Sequence, residues 1–203
     1  ERLLEAIRAA RPGETVLVEP GDYAIPRERL PILLDREGLA IRSHEGPERT
    51  RVRAVGAREC EAQHRLIVPP DLARQTDVLF FVTADKVKIA GLTLSAAVYN
   101  VYLGGAADCE ITDNLFDFTK CYHVCLYEGR RVLVARNRSR AALNNSVKLD
   151  RCEACVVRDN LFHEDPGAVR LSASCRNVIS GNRMLEISWH GVMIEEGSHG
   201  NRV

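Results

Sequence analysis

The chain has 203 residues, 45% of them hydrophobic and with no shift in composition, which predicts a single domain over residues 1–203 built around one core. Its 28 basic and 28 acidic residues balance, and this argues against nucleic acid or an anionic membrane surface as a partner. No apolar run approaches the ~18 residues of a membrane span, and the first ten residues lack a signal-peptide pattern.

The N-terminal segment, residues 2–11, is predicted to be an amphipathic helix. Leu3, Leu4 and Ile7 would share one helical face, and the sequence Arg11-Pro12-Gly13 would end the helix. A helix laid across the first coil of a repeat structure covers the core that the coil would otherwise expose. We therefore expect a capping helix.

The next part of the chain predicts irregular early coils. Residues 39–41, Val52 and residues 78–94 have the apolar character of strands, and residues 55–76 between them are predicted to be a loop insertion. Beyond them the sequence becomes regular.

From residue 100 onward a repeat of 22 to 23 residues organises the sequence. Each segment begins with a Val-x-Leu or Val-x-Ile strand core, and the anchoring valines are Val101, Val124, Val147, Val169 and Val192. The segments are rich in Val, Ile, Phe and Cys at a period of two, which is typical of strands and not of helices. The pattern predicts an all-β solenoid, a single-stranded parallel β-helix with about three short strands per coil.

An asparagine recurs at one turn position of the repeat, eleven residues after each anchoring leucine. The members are Asn114, Asn137, Asn160 and Asn182. Side-chain amides stacked one coil apart can hydrogen-bond to the coil above and below. We expect these residues to form a ladder.

The repeat stops inside a coil at Val203. An open coil leaves strand edges unpaired, so a further chain segment or a partner is expected at this end.

Residues that flank the inward-facing valines and leucines should point outward, and coils stacked ~4.8 Å apart align them in columns. The predicted columns are Asn100, His123, Ser146, Ala168 and Gly191; then Tyr102, Cys125, Lys148, Arg170 and Met193; then Gly104, Tyr127, Asp150, Ser172 and Glu195.

This outward face carries the main functional hypothesis. Lys148 and Arg170 would be direct neighbours, and like charges side by side need something to offset them. An anionic ligand, such as a uronate carboxylate, would bind between these two cations, while Tyr127 or His123 carries protons. Trp189 would offer a surface for a sugar ring. Lys148 would serve as a base only if Arg170 lowers its pKa.

Asp150, Glu195 and Tyr102 complete the predicted substrate-binding surface. The alternative is that Asp150 and Glu195 simply neutralise the two cations on a solvated face. These carboxylates would lie ~9.6 Å apart, near the upper end of the spacing in inverting glycosidases, so hydrolysis is a second enzymatic alternative.

No metal site or other cofactor is predicted. Cys121, His123 and Cys125 alternate onto one face, but the two cysteines would lie ~13 Å apart, too far for one ion. The seven cysteines are expected to be mostly free thiols that fill the core. Four further histidines are expected to be ordinary solvated residues; they are His44, His64, His163 and His199.

Residues 3–23 combine the amphipathic segment, the sequence Pro-Gly-Glu-Thr, an apolar strand and a Pro-Gly-Asp-Tyr turn. This opening resembles that of the pectin-lyase-like β-helix superfamily, and the coils from residue 80 onward are similar to its generic repeats. The resemblance implies a right-handed β-helix, an acidic polysaccharide as partner, and an extracellular or periplasmic location. Family members include uronan lyases, alginate epimerases, polygalacturonases and NosD-like accessory proteins of copper enzymes.

The catalytic motifs of those members are incomplete in this chain. Residues 164–167, Glu-Asp-Pro-Gly, lack the histidine of the epimerase motif Asp-Pro-His-Asp. Lys148 and Arg170 echo a Lys and Arg pair of chondroitinase B, but Leu171-Ser172 follows where that family has a different context. We expect lyase or C5-epimerase chemistry on acidic polysaccharide. The alternatives are a glycan-binding or structural β-helix without activity, a glycoside hydrolase, and a NosD-like accessory protein.

Overall fold

The computed structural model describes residues 2–57 and 77–203 and consists of a short helix followed by seven coils of three parallel strands. Helix α1 (Arg2–Ala9) buries Leu3, Leu4 and Ile7, so the predicted capping helix is confirmed, although it ends two residues earlier than expected. The guanidinium of Arg36 donates hydrogen bonds of 3.0 Å to the carbonyl of Ile7 and 2.9 Å to that of Arg8. These bonds satisfy carbonyl groups that the end of a helix leaves without partners.

The strands follow one another at the repeat spacing. The first two coils are β1 (Thr15–Val18), β2 (Gly21–Pro26) and β3 (Ile32–Leu34), then β4 (Ala40–Ser43), β5 (Thr50–Val55) and β6 (Val78–Val82). The third and fourth are β7 (Lys88–Ala90), β8 (Thr93–Ser95) and β9 (Tyr99–Gly104), then β10 (Glu110–Thr112), β11 (Leu115–Thr119) and β12 (Tyr122–Tyr127). The fifth and sixth are β13 (Leu133–Ala135), β14 (Arg138–Ala142) and β15 (Asn145–Asp150), then β16 (Val156–Arg158), β17 (Leu161–His163) and β18 (Gly167–Ser172). The seventh is β19 (Val178–Ser180), β20 (Arg183–Leu185) and β21 (His190–Glu195).

Equivalent strands of successive coils pair in parallel, and each set of seven forms one sheet. We call them the first, second and third sheet in the order in which a coil visits them. In the third sheet Val124 pairs with Val101 and Val147, and Val147 pairs with Val169. These valines therefore lie in one file facing the core, as the repeat predicted.

The predicted loop over residues 55–76 is only partly open to description. Strand β5 extends to Val55, and residues 58–76 lie outside the described part of the chain. Cys60 and His64 belong to that undescribed segment. Within the described residues no helix is long and apolar enough to cross a membrane.

The predicted asparagine ladder is confirmed. The Nδ2 group of Asn114 donates to Oδ1 of Asn137, Asn137 donates to Asn160 and Asn160 donates to Asn182, at 2.9–3.2 Å. Each of the first three residues also donates to a backbone carbonyl in the preceding coil, and these carbonyls belong to Ile89, Ile111 and Val134. The ladder thus satisfies buried amides and buried backbone groups together.

The six cysteines of the described residues are free thiols. Cys109, Cys152 and Cys155 pack in the main core, while Cys121 and Cys125 are buried on the outer side of the third sheet. They fill space among apolar side chains, in agreement with the sequence analysis.

Candidate functional site

The outer face of the third sheet aligns the residues that the repeat predicted. Lys148 pairs with Cys125 on one side and with Arg170 on the other, and Arg170 pairs with Met193. In the next column Asp150 pairs with Ser172, which pairs with Glu195. The predicted neighbour relations are confirmed.

The column that begins at Asn100 was predicted wrongly, because its polar members face the interior. His123 is fully buried: its ring lies 5.4 Å from that of Phe116, and its Nε2 atom is 3.1 Å from the carbonyl oxygen of Arg140. The coil turns a corner between the second and third sheets at this position, so both His123 and Val124 face inward. Burial lowers the pKa of His123 to about 4, although nearby Asp165 opposes the shift. His123 is therefore not a proton carrier on an open face.

Tyr102 and Tyr127 belong to an aromatic cluster that covers the outer side of the middle coils, which we define by Phe81, Tyr99, Tyr102, Tyr122 and Tyr127. The rings of Tyr99 and Tyr122 stack at 5.8 Å, and those of Phe81 and Tyr102 meet edge to face at 5.4 Å. Burial raises the pKa of Tyr102 far above its ordinary value.

Tyr102 was predicted to bind substrate at an open surface, and the structure contradicts that placement because Tyr102 is fully buried. The physical reason is that aromatic residues one coil apart pack on each other and exclude solvent. Tyr127 is also buried, and its hydroxyl accepts a hydrogen bond of 2.9 Å from Arg151 Nη1.

Lys148 and Asp150 lie beside this aromatic cluster and are also buried. The expectation that they lie on a solvated face is therefore wrong. Their side chains are each 2% exposed, and the Lys148 ammonium lies 3.2 Å from Asp150 Oδ2 and 5.8 Å from the centre of the Tyr122 ring. Burial raises the pKa of Asp150, and the charge of Lys148 offsets only part of that effect. The ion pair lacks hydrogen-bond geometry: among the described residues both oxygens of Asp150 are without a hydrogen-bond donor.

Arg170 and Glu195 form a second ion pair, at the edge of the buried region. Arg170 Nε and Nη2 lie 2.6 Å and 2.5 Å from Glu195 Oε1, to which the Ser172 hydroxyl also donates at 2.9 Å. Burial alone would raise the pKa of Glu195, but the hydrogen bonds from Ser172 and Arg170 hold it below the ordinary value. Each cation therefore has a carboxylate partner, as the alternative interpretation expected, but the Lys148–Asp150 pair is buried and does not lie on a solvated face.

A bridge between His190 and Asn145 was missed in the sequence. Asn145 Nδ2 donates to His190 Nε2 at 2.7 Å across the intervening coil, where Gly167 pairs with both residues. A Cβ atom on Gly167 would lie 2.1 Å from Asn145 Nδ2 and 2.7 Å from His190 Nε2. The one available signal was a glycine between two polar residues in the same column, because only glycine leaves room there.

The environment of His190 favours the neutral imidazole. Burial and the nearby charge of Arg170 lower its pKa, and Glu195 offsets part of this effect. Trp189, the preceding residue, is 67% exposed, and its backbone N–H donates to the carbonyl of Pro166 at 2.7 Å. We call Arg170, Trp189, His190 and Glu195 the coil 6–7 patch.

A group of metal-ligating side chains lies at the corner that follows the second sheet. His163, Glu164 and Glu186 each offer one ligand atom, and these atoms all lie within 4.8 Å of one another. His163 was expected to be an ordinary solvated residue, whereas it is the last residue of β17 and is half-buried. The two glutamates are exposed and the histidine is half-buried.

The family model described as "Periplasmic copper-binding protein (NosD)" matches residues 41–203. The chain belongs to the NosD family. No curated protein sequence matches the chain.

Solved structures show the same fold. Pectate lyase Pel9A is 13% identical with a TM-score of 0.63, and the match covers 88% of this chain and 48% of the lyase. The catalytic domain of a GH87 α-1,3-glucanase is 12% identical with a TM-score of 0.59, and the match covers 85% of this chain and 34% of that chain. The predicted pectin-lyase-like, right-handed parallel β-helix is thus confirmed. This chain spans less than half the length of these two neighbours, which are carbohydrate-active enzymes.

Copper, which the description of the NosD family names, needs nitrogen, oxygen or sulfur donors that lie close together. The buried thiols do not group with other ligands among the described residues, whereas His163, Glu164 and Glu186 supply one nitrogen and two oxygen donors. Imidazole and carboxylate donors suit divalent copper and zinc, so this set fits the metal by its chemistry.

Proposed function

We propose that this NosD-family protein binds acidic polysaccharide at the coil 6–7 patch, in the periplasm or outside the cell. The observation that carries the proposal is a guanidinium and an imidazole of lowered pKa on the outer side of the third sheet, with an exposed indole at the residue just before β21. Lys148, in contrast, lies beneath the surface and is matched by Asp150, so the ligand-binding cation is Arg170.

Arg170 retains the means to bind a carboxylate. Both of its contacts with Glu195 go to a single oxygen, Oε1, through Nε and Nη2. A guanidinium has five N–H donors, so the edge that includes Nη1 lies outside this pair and can bind a uronate carboxylate. Trp189 supplies an apolar face on which the adjoining sugar ring packs.

The finer form of the proposal is lyase or C5-epimerase chemistry with His190 as the base. Its Nε2 atom accepts a hydrogen bond from Asn145, while Asn145 Oδ1 is buried with no hydrogen-bond partner among the described residues. A half-turn of the amide exchanges these two atoms, so that Oδ1 accepts Nε2–H and the lone pair of the neutral ring is on Nδ1.

Nδ1 then removes the C5 proton of a uronate whose carboxylate is held by Arg170. In a lyase the C–H electrons form the C4–C5 double bond, the C4–O bond breaks, and the departing oxygen takes a proton from water. In an epimerase water donates a proton to the opposite face of C5, and the hydroxide formed takes up the proton held by His190.

Binding and chemistry are tested separately on the same protein. Calorimetric titration with alginate, pectate and glycosaminoglycans, and with a neutral glucan as reference, should show binding to at least one acidic polymer. R170Q should weaken that binding at least tenfold. R131Q, which alters an exposed Arg–Asp pair elsewhere on the coils, should leave binding unchanged. A panel without any binding, or equal binding by R170Q, would overturn the proposal.

Chemistry is read from the absorbance of unsaturated uronate for a lyase and from deuterium incorporation at C5 in heavy water for an epimerase. H190Q should abolish either signal while retaining polymer binding within about threefold. Binding without either signal would leave a glycan-binding protein and reject the enzymatic form.

A further inference from the structure

The corners of the coils carry ladders of residues with left-handed backbone, one residue per coil. The first ladder is Asp108, Arg131, Ala154 and Arg176, the second is Asp113, Arg136, Asp159 and Gly181, and the third is Ala141, Glu164 and Glu186. Consecutive members stack because the strands that precede them are paired in register.

In the first two ladders a carboxylate stacks on a guanidinium. Arg131 contacts Asp108 at 2.7 Å, and Arg136 contacts Asp113 at 2.8 Å. These bonds hold the pKa of both aspartates below the ordinary value, with Arg131 and Arg136 as the leading causes. Opposite charges one coil apart stabilise each other in these corners.

The third ladder breaks this rule, because two carboxylates occupy consecutive positions. Glu164 N donates to the carbonyl of Leu185, the residue before Glu186, so the two glutamates leave the backbone one above the other. Like charges at this spacing repel.

The guanidinium of Arg140 does not resolve the conflict. Arg140 stands in the column of His163 but is bonded to Asp117 at 2.6 Å, and Glu164 affects it only as a lesser charge. The group that faces both carboxylates is the imidazole of His163, with Nε2 at 3.7 Å from Glu186 Oε1.

We propose that His163, Glu164 and Glu186 bind a divalent transition-metal ion, with Cu(II) held more tightly than Zn(II). One imidazole nitrogen and two carboxylate oxygens neutralise the charge of the ion and remove the repulsion between the glutamates. This site is separate from the coil 6–7 patch and does not depend on the proposed function.

The geometry requires only small movements. Metal–ligand bonds of ~2.0–2.2 Å allow two ligand atoms on one ion to lie up to ~4.4 Å apart. The three ligand atoms already lie within 4.8 Å of one another, and the glutamates are exposed and free to adjust. Three protein ligands also leave coordination positions for water, as in open metal sites.

The test is titration of the untagged protein with copper(II) chloride, followed by calorimetry and by electron paramagnetic resonance. We expect one equivalent to bind with nitrogen hyperfine structure from one imidazole. H163A and E186Q should each weaken binding at least tenfold, and H163A should remove the nitrogen structure. Zn(II) should compete for the same site with lower affinity.

Two control variants match these changes. H44A removes a histidine that lies 3.3 Å from a single glutamate, Glu19, with no second carboxylate in its described contacts. E128Q removes a left-handed corner glutamate that already faces Arg151. Both should bind Cu(II) like the unaltered protein. Unchanged binding by H163A and E186Q, equal loss in H44A, or no stoichiometric binding at all would overturn the site. Circular dichroism of each variant verifies that a loss is not due to unfolding.

Discussion

The interior asparagine ladder and the outer face of the third sheet differ in whether their buried polar groups have hydrogen-bond partners. In the ladder the same residue recurs in four coils, and each amide finds its partner in the next coil. On the outer face the column Cys125, Lys148 and Arg170 changes residue type at every coil, and buried oxygens of Asp150 and Asn145 have no hydrogen-bond partner among the described residues. When the same polar residue recurs in every coil, each side chain finds its hydrogen-bond partner in the next coil. A column that changes residue type and leaves buried polar atoms without partners indicates selection for function and not for stability.

The largest effect is expected from breaking the buried ion pair with K148M. Removal of the ammonium leaves the Asp150 carboxylate buried without a counter-charge, and such losses cost ~3–5 kcal/mol. The measurement is the free energy of unfolding in urea. R131M, which breaks an exposed pair, should cost far less than K148M because water screens and replaces the lost contact.

The double variant K148M/D150L sharpens the comparison. An apolar replacement of a buried pair is often neutral or stabilising, so most of the stability lost in K148M should return. If K148M costs as little as R131M, the outer face does not depend on this pair.

The ladder is tested by N137A, for which we expect a loss of ~2–4 kcal/mol. Asn137 Oδ1 accepts from the backbone and side chain of Asn114, and its Nδ2 group donates to Ile111 and Asn160. Each buried partner left without a bond costs ~1–3 kcal/mol.

N182A is the matched control at the half-buried, C-terminal end of the ladder, and urea unfolding of both variants gives the comparison. Water can replace part of the lost bonds at Asn182, so the cost should be about half or less. Equal costs at Asn137 and Asn182 would mean that burial does not set the strength of the ladder.

The sequence predicted the parts of the molecule that repeat. The spacing of Val124, Val147 and Val169 predicted the parallel register, and the recurrence of Asn137 and Asn160 predicted the ladder. Both follow from local alternation and a constant period, which neighbouring coils preserve.

The sequence predictions were wrong where the burial of a side chain depends on more than its position in the repeat. Alternation assigned His123 to the outside, but the corner before β12 turns it inward. Lys148 and Asp150 point away from the core as expected, yet neighbouring aromatic residues bury them. The bridge between Asn145 and His190 joins residues that are 45 positions apart, through a gap at Gly167. A search for contacts between neighbouring coils, 22 or 23 residues apart, does not find it.

The pH dependence of stability tests the inward placement of His123. The pKa of His123 in the folded protein is about 4, below the ordinary 6.5. Between these two pH values the unfolded chain therefore binds a proton at His123 and the native state does not. The free energy of unfolding should therefore fall as the pH is lowered from about 6.5 towards 4, with a slope of at most ~1.4 kcal/mol per pH unit.

H123Q should remove this slope, and the difference between the two proteins isolates His123 from Asp117, Asp165 and the other carboxyl groups. H44Q changes an exposed histidine and should retain the slope. An unchanged pH profile in H123Q would place His123 outside the buried corner.

The smallest effect is expected from G167A, which fills the gap under the Asn145–His190 bridge. The added Cβ would meet Asn145 Nδ2 at 2.1 Å and His190 Nε2 at 2.7 Å, so both side chains must move. We expect the free energy of unfolding in urea to fall by ~1–2 kcal/mol, and the nuclear magnetic resonance signals of the His190 ring nitrogens to shift.

G129A provides the comparison, because its Cβ would lie 3.3 Å from Leu103 Cδ2, a contact that a small shift relieves. Loss of chain entropy in the unfolded state favours alanine at both positions by similar amounts, so the difference between the variants reports the clash. N145A/G167A should recover stability relative to G167A, since the closest contact is then gone. Recovery would show that the missing Cβ of Gly167 is what allows Asn145 and His190 to come into contact. Equal losses in G167A and G129A would show instead that Gly167 is a close-packed position with no special role in the bridge.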